Sequence, residues 1–231
     1  MSSESIHNLL FELTQKADRA TRSYRFRFRG WLPKATDSRI LDLGCGDGKI
    51  LWYLGKKYSY VHGVDLDSQK LDIAKSMGVS VQCQDVFEFL STTNKTFDLI
   101  CALDLVEHLG KNRIPTFLEL CFKKLNSGGR IILQMPNPLS PFGFSVQQGD
   151  LTHEFTLAPV LTRKLLEIAG FNQCHWRETG PSLWGYSLGS TFRFCLWRLI
   201  RLGYRFLHFI EAGEKENFPL TRVYLVSALK P

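Results

Sequence analysis

Short apolar runs alternate along the chain with stretches whose apolar positions recur at helical spacing, and Gly, Asn and Pro clusters separate them. Ile40–Leu43 reads as the end of a buried strand. Tyr60–Asp65 (YVHGVD), Val79–Gln84, Phe97–Leu103 (FDLICAL), Arg130–Met135 (RIILQM), Phe171–Glu178 and Thr221–Leu229 (TRVYLVSAL) supply six more. Helical segments are expected after Lys49 through Trp52 and Leu54, over Ser68–Met77, and from Ala158 to Ala169, with Gly170 as the stop. Strands alternating with helices at this rhythm predict an α/β fold: a seven-stranded, mainly parallel sheet with helices on both faces. Residues 3–28 read as one or two further helices. Leu125–Gly129 (LNSGG) reads as a turn, and Met135–Gly149, with prolines at 136, 138 and 141, cannot be helical.

The pattern divides the chain into a helical N-terminal cap (1–37), a core (38–180), a basic aromatic helical insertion (181–219) and a closing core strand (220–231). Within the insertion, Thr191–Ile210 reads TFRFCLWRLIRLGYRFLHFI. At 100° per residue Arg198, Arg201 and Arg205 fall in one narrow sector. That is the pattern of a basic amphipathic helix on a membrane surface, or of a helix packed on protein with arginines at its rim.

The formal charge of +7 on 231 residues sits largely in this helix and in Arg19–Arg29, where Tyr24, Phe26 and Phe28 alternate with arginines. No run of eighteen apolar residues occurs, and the start lacks the basic and long apolar blocks of a signal peptide. The six cysteines are scattered, without a CxxC pair or metal-ligand spacing, which points to a reducing cytoplasm with peripheral membrane contact through 191–210 as an addition.

Candidate chemistry gathers at the carboxyl ends of the strands, where open α/β sheets bind ligands. In Ile40–Leu51 (ILDLGCGDGKIL), Gly44, Gly46 and Gly48 make a tight strand-to-helix turn that lets a ligand approach backbone N–H groups. Asp42, two residues before the first glycine, would repel a pyrophosphate and attract a cationic amine. Asp65, about twenty residues after the turn, stands where an acid accepts both ribose hydroxyls, and that spacing favours ribose binding over the helix-capping role open to Asp65 or Asp67. Asp104, Glu107 and His108 are spaced i, i+3, i+4, so a helix would place all three on one face, as a divalent-cation site or as cofactor-lining and substrate-positioning groups. His153, in GDLTHEF, lies in a loop expected to cover an acceptor pocket.

Taken together, LDLGCGDG, Asp65, Asp85 and FDLICALDLVEHL resemble the class I S-adenosylmethionine-dependent methyltransferases over about residues 38–178, with the closing strand at 221–229. The resemblance implies a Rossmann-like sheet whose seventh strand runs antiparallel beside the fifth. It implies S-adenosylmethionine near Asp42, Gly44, Cys45, Gly46, Asp65, Leu66, Asp85, Val86 and Leu103, with Asp85 on the adenine amine. The acid-x-x-Glu-His segment is similar to that of the ubiquinone-pathway O-methyltransferases. PNPLSPFG…GDLTHEFT…LLEIAGF is similar to methyltransferases of surface-polysaccharide and lipid-linked glycan synthesis. The implied reaction is O-methylation of a small-molecule or glycan acceptor, with His108 or His153 as base beside Asp104, since a neutral imidazole suits a hydroxyl near neutral pH. Two rivals stand beside it. An RNA methyltransferase would use the basic aromatic stretches, although no Asn/Asp-Pro-Pro-aromatic motif follows the fourth strand. A membrane-attached S-adenosylmethionine-binding protein would act without catalysis.

Overall fold

Seven strands pair into a single sheet in a computed structural model that describes residues 12–18, 21, 23–181, 187–213 and 218–231. They are β1 (Arg39–Leu43), β2 (Tyr60–Asp65), β3 (Val81–Cys83), β4 (Phe97–Leu103), β5 (Leu125–Pro136), β6 (Asn172–Glu178) and β7 (Val223–Leu229). Their spatial order is β3-β2-β1-β4-β5-β7-β6. The pairs β1–β2, β1–β4, β2–β3 and β4–β5 are parallel, and β7 runs antiparallel to both β5 and β6.

Strand alternation sorts the side chains to two covered faces. Leu41, Leu43, Ile100, Ala102, Ile131, Leu133 and Val226 point one way. Helices α3 (Val86–Thr92), α4 (Ile114–Lys124) and α5 (Pro159–Ile168) cover that side through residues such as Phe89, Phe117 and Leu166. Ile40, Leu99, Cys101, Ile132 and Leu225 point the other way, against Phe28, Trp31 and the Ile50 and Leu54 side chains of α1 (Lys49–Gly55). Each fully buried Leu or Ile contributes about 1.5–3 kcal/mol. The segment leading into β1 is thus part of the core at Phe28 and Trp31. Residues 12–18 and Tyr24–Arg27 are helical, and the rest of the expected 3–28 helices lies outside the described residues.

Several expected boundaries shift for local reasons. The edge strand β3 is shorter than Val79–Gln84, because it pairs with β2 only over Gly63–Asp65 and Val79 bonds back to Ala74 of α2 (Ser68–Ser76). The LNSGG turn is absorbed into β5, where the ladder jumps from Phe97↔Leu125 to Leu99↔Arg130 and Gly128 adopts φ 74°.

The insertion forms one long helix, α6 (Leu188–Ala212), opened by a Ser187–Ser190 capping box and closed by Gly213 at φ 72°. No residue of α6 is buried. The predicted arginine sector exists, but it leans toward the domain: Arg201 pairs with Glu178 at 3.2 Å, and Trp197 Nε1 donates to the same carboxylate at 3.2 Å. Arg201 and Arg205 are half-buried on the domain side, Arg198 stays exposed at the rim, and the large apolar residues of the opposite face are left in solvent. No helix among the described residues is long and apolar enough to cross a membrane.

Candidate active site

The carboxyl edge of β1 carries the glycine turn. Gly44, Gly46 and Gly48 all hold positive φ, at 70°, 51° and 75°. At Gly48 the cause is packing as well as conformation: an added Cβ would lie 2.8 Å from Ala74 Cβ and 2.9 Å from Val79 Cγ2. At Gly46 an added Cβ would meet only Lys70 Cδ, at 3.8 Å, so that side of the turn is open. Gly46 N donates to Asp65 Oδ2 at 2.7 Å and Asp67 N to Asp65 Oδ1 at 2.8 Å. Each carboxylate oxygen keeps a further lone pair for a ligand hydroxyl. Asp67, not Asp65, caps α2, accepting from Gln69 N and Lys70 N. The acid at the strand end and the cap are thus separate residues.

Asp42 is 2 % exposed, and its carboxyl is pushed up to about 8 by burial first and by the Asp65 charge second. Cys45 is buried beside it, and its thiol is also driven upward by burial. Asp85 stands at the end of β3 as the N-cap of α3, with Oδ1 accepting from Phe87 N and Glu88 N. Val86 is buried next to it, Leu66 is exposed at the rim after β2, and Leu103 ends β4. These residues come from four adjacent strand ends of one sheet edge. The set fits S-adenosylmethionine: an open glycine turn, an acid with spare acceptors for ribose, and a buried carboxylate for a cationic ammonium.

Beyond β4, where a turn or short helix is expected, the segment takes the turn. Asp104 adopts φ 54°, and only Val106–His108 form a 3₁₀ turn, so Asp104, Glu107 and His108 do not share a helical face. Asp104 accepts from Gln134 Nε2 at 2.8 Å, while Gln134 Oε1 accepts from Arg27 Nη1 at 3.4 Å. Solvent reaches Asp104, but the crevice walls desolvate it and hold its carboxyl above the ordinary range, with the Gln134 hydrogen bond opposing. Tyr24, half-buried near Asp104 and Asp42, is pushed up to about 12 by burial.

Glu107 and His108 are brought instead to His153: one ligand atom from each lies within 4.8 Å of the others. Glu107 is 2 % exposed, and burial pushes its carboxyl up to about 8. Its Oε2 and His153 Nδ1 have no hydrogen-bond partner among the described residues. The donor set, one carboxylate and two imidazoles with two unsatisfied buried atoms, fits a divalent cation.

Among the described residues, His108 is tethered through Nδ1 alone. Its Nδ1 lies 2.9 Å from Thr152 Oγ1 and 3.3 Å from Thr152 O, a carbonyl that only accepts. Thr152 Oγ1 in turn donates to Asp150 Oδ1 at 2.6 Å. The network therefore assigns the proton to Nδ1 and leaves the Nε2 lone pair of His108 available. His153 packs edge-on against the same ring, with centroids 4.8 Å apart. Thr152, Asp150 and Gln134 were not among the residues the sequence singled out, whereas Arg27 and Tyr24 lie in the basic aromatic stretch it marked. GDLTHEF showed the loop but not which of its side chains turns toward His108.

Residues 40–129 match the family model for a methyltransferase domain. The ubiquinone biosynthesis O-methyltransferase of Coxiella burnetii is 30 % identical over 104 residues, covering 42 % of this chain and 43 % of that protein. Phosphoethanolamine N-methyltransferase 1 of Zea mays is 31 % identical over 101 residues, covering 41 % of this chain and 20 % of that one. The chain thus matches less than half the length of these curated relatives. A crystal structure of a SAM-dependent methyltransferase from Archaeoglobus fulgidus has the same fold, with a TM-score of 0.67 and 23 % identity over 94 % of both chains.

Proposed function

We propose that this chain, which belongs to the class I S-adenosylmethionine-dependent methyltransferases, methylates a hydroxyl oxygen of a small-molecule or glycan acceptor, lipid-linked forms included. S-adenosylmethionine supplies a methyl group on a sulfonium, whose displacement by oxygen forms a C–O bond, breaks a C–S bond and leaves a neutral thioether. Asp65 holds the ribose, Asp42 the ammonium, and Asp85 with Val86 the adenine. His108 Nε2 takes the hydroxyl proton, and the Nδ1 tether to Thr152 and Asp150 fixes the ring for that task. Asp104, held by Gln134, borders the reacting edge. The Asp150–Thr152–His108 chain carries this reading, because it presents one unprotonated ring nitrogen at the edge where the cofactor residues converge. The O-methyltransferase relatives support oxygen as the accepting atom.

A second role for the same histidine is favoured by the unsatisfied Glu107 Oε2 and His153 Nδ1. Glu107, His108 and His153 would hold a divalent cation that binds and acidifies the acceptor hydroxyl.

The test joins calorimetry with transfer of labelled methyl to candidate hydroxylated acceptors. Wild type binds S-adenosylmethionine, and Asp65→Ala loses most of that binding. His108→Ala keeps binding and loses about 10²–10⁴-fold in kcat, the range for a general base. Thr152→Val gives a smaller loss in kcat with KM unchanged. Loss of turnover on chelation, restored by a divalent cation, selects the metal role. A folded wild type that binds no S-adenosylmethionine overturns the reading.

A further inference from the structure

We propose that the outward face of α6 docks on a bilayer surface carrying anionic headgroups, placing the mouth of the groove beneath α6 at that surface. Phe192, Leu199, Leu202, Phe206, Leu207 and Ile210 are each 62–69 % exposed, on a helix about 37 Å long with no buried residue. A contiguous apolar face of this length in water marks a contact surface. Since α6 is too polar to span a bilayer, a lipid-facing role requires it to lie in the plane of the interface.

Charge selects the occupant. At 100° per residue, Arg193 and Arg198 sit on opposite edges of the apolar face, and both are exposed. Exposed Arg222 shares the lining of one adjoining groove with Arg193, and exposed Arg29 shares a second with Arg198. The only acid on α6 is Glu211, near its end. A second copy laid face to face would bring these cations against one another with little to neutralise them. Anionic headgroups neutralise both edges, at about a fivefold gain in partition for each arginine.

The face is continuous with a cavity of about 1020 Å³ walled by Phe142, Phe144, Phe192, Leu196 and Trp197. At its inner end are Arg27 and Gln134, and Gln134 binds Asp104. An acceptor with an apolar chain would pass from the bilayer to the reacting edge without crossing water. That last link rests on the methyl-transfer reading; the docking itself does not.

The experiment is co-sedimentation of the full chain with vesicles of phosphatidylcholine, with and without phosphatidylglycerol. S-adenosylmethionine binding and light scattering are read on the same samples. The wild type is expected to sediment with phosphatidylglycerol vesicles and much less with phosphatidylcholine alone. Arg193→Gln weakens partition about fivefold. Leu199→Glu with Phe206→Glu abolishes it while cofactor binding survives, which shows that the variant is folded. Wild type that binds cofactor but stays in the supernatant overturns the proposal, as does vesicle binding unchanged in the double variant. So does a wild-type dimer that the double variant makes monomeric without vesicle binding, which would assign the face to a second copy. Because sedimentation is read without turnover, failure here leaves the methyl-transfer reading untouched, and failure of that reading leaves this one standing.

Discussion

A carboxyl group as enclosed as Asp42 holds its proton to about pH 8 in the free protein. Its pKa is raised on folding, so the folded state binds the proton more tightly than the unfolded chain. The stabilisation is fully present below the ordinary carboxyl value, and is lost as pH rises from there to about 8. A cationic ammonium beside Asp42 requires the anion. Binding of S-adenosylmethionine below pH 8 is therefore expected to release up to about one proton, and affinity should rise with pH toward 8. Calorimetry in buffers of different ionisation enthalpy reads the proton directly. Asp42→Asn should remove it, and wild-type binding without proton release would refute this role. Asp42 and Asp65 were legible in the sequence because spacing from the glycines locates them. The Asp150–Thr152–His108 chain was not, since it joins residues 44 apart whose meeting depends on how a proline-containing loop returns to the sheet edge.

At the scale of the element, the strand–turn–helix from β1 to α1 was read almost to the residue, because glycine chemistry and hydrophobic period agree there. Its glycines nonetheless do different work, and substitution should separate them. Gly48→Ala forces a Cβ against Ala74 and Val79 in a left-handed backbone, and should cost about 2–4 kcal/mol in a denaturant melt. Gly46→Ala meets only the far end of Lys70 and should cost about 1–2 kcal/mol, yet weaken cofactor binding more than tenfold through crowding of the open side. Equal stability losses without a binding difference would show that Gly46 does not face the ligand. Helix α6 shows where period alone stops: spacing placed Arg198, Arg201 and Arg205 in one sector but could not say which way it points. The deciding partner, Glu178, ends β6 and so lies outside the helix whose period was read.

In the whole molecule, strand number and direction were legible from alternation and from family resemblance, whereas the run of ladder partners follows from packing. The chain's last strand, β7, enters the sheet between β5 and β6 and is bonded on both sides. Tyr224, Leu225, Val226, Ser227 and Ala228 are buried, and Tyr224 OH joins Thr162 of α5 at 2.6 Å and Leu157 O at 3.0 Å. Hydrogen exchange at these amides is expected to be among the slowest in the protein despite their nearness to the C-terminus. Fast exchange there would mean that β7 detaches independently.

The family match ends inside β5, at residue 129. The matched family segment, residues 40–129, holds every position proposed to contact the cofactor, while His153, Thr152, α6 and most of the groove lining, Arg27 apart, come later in the chain. Substitutions after Pro136 are therefore expected to change the proposed acceptor side while leaving the glycine turn and its acids undisturbed.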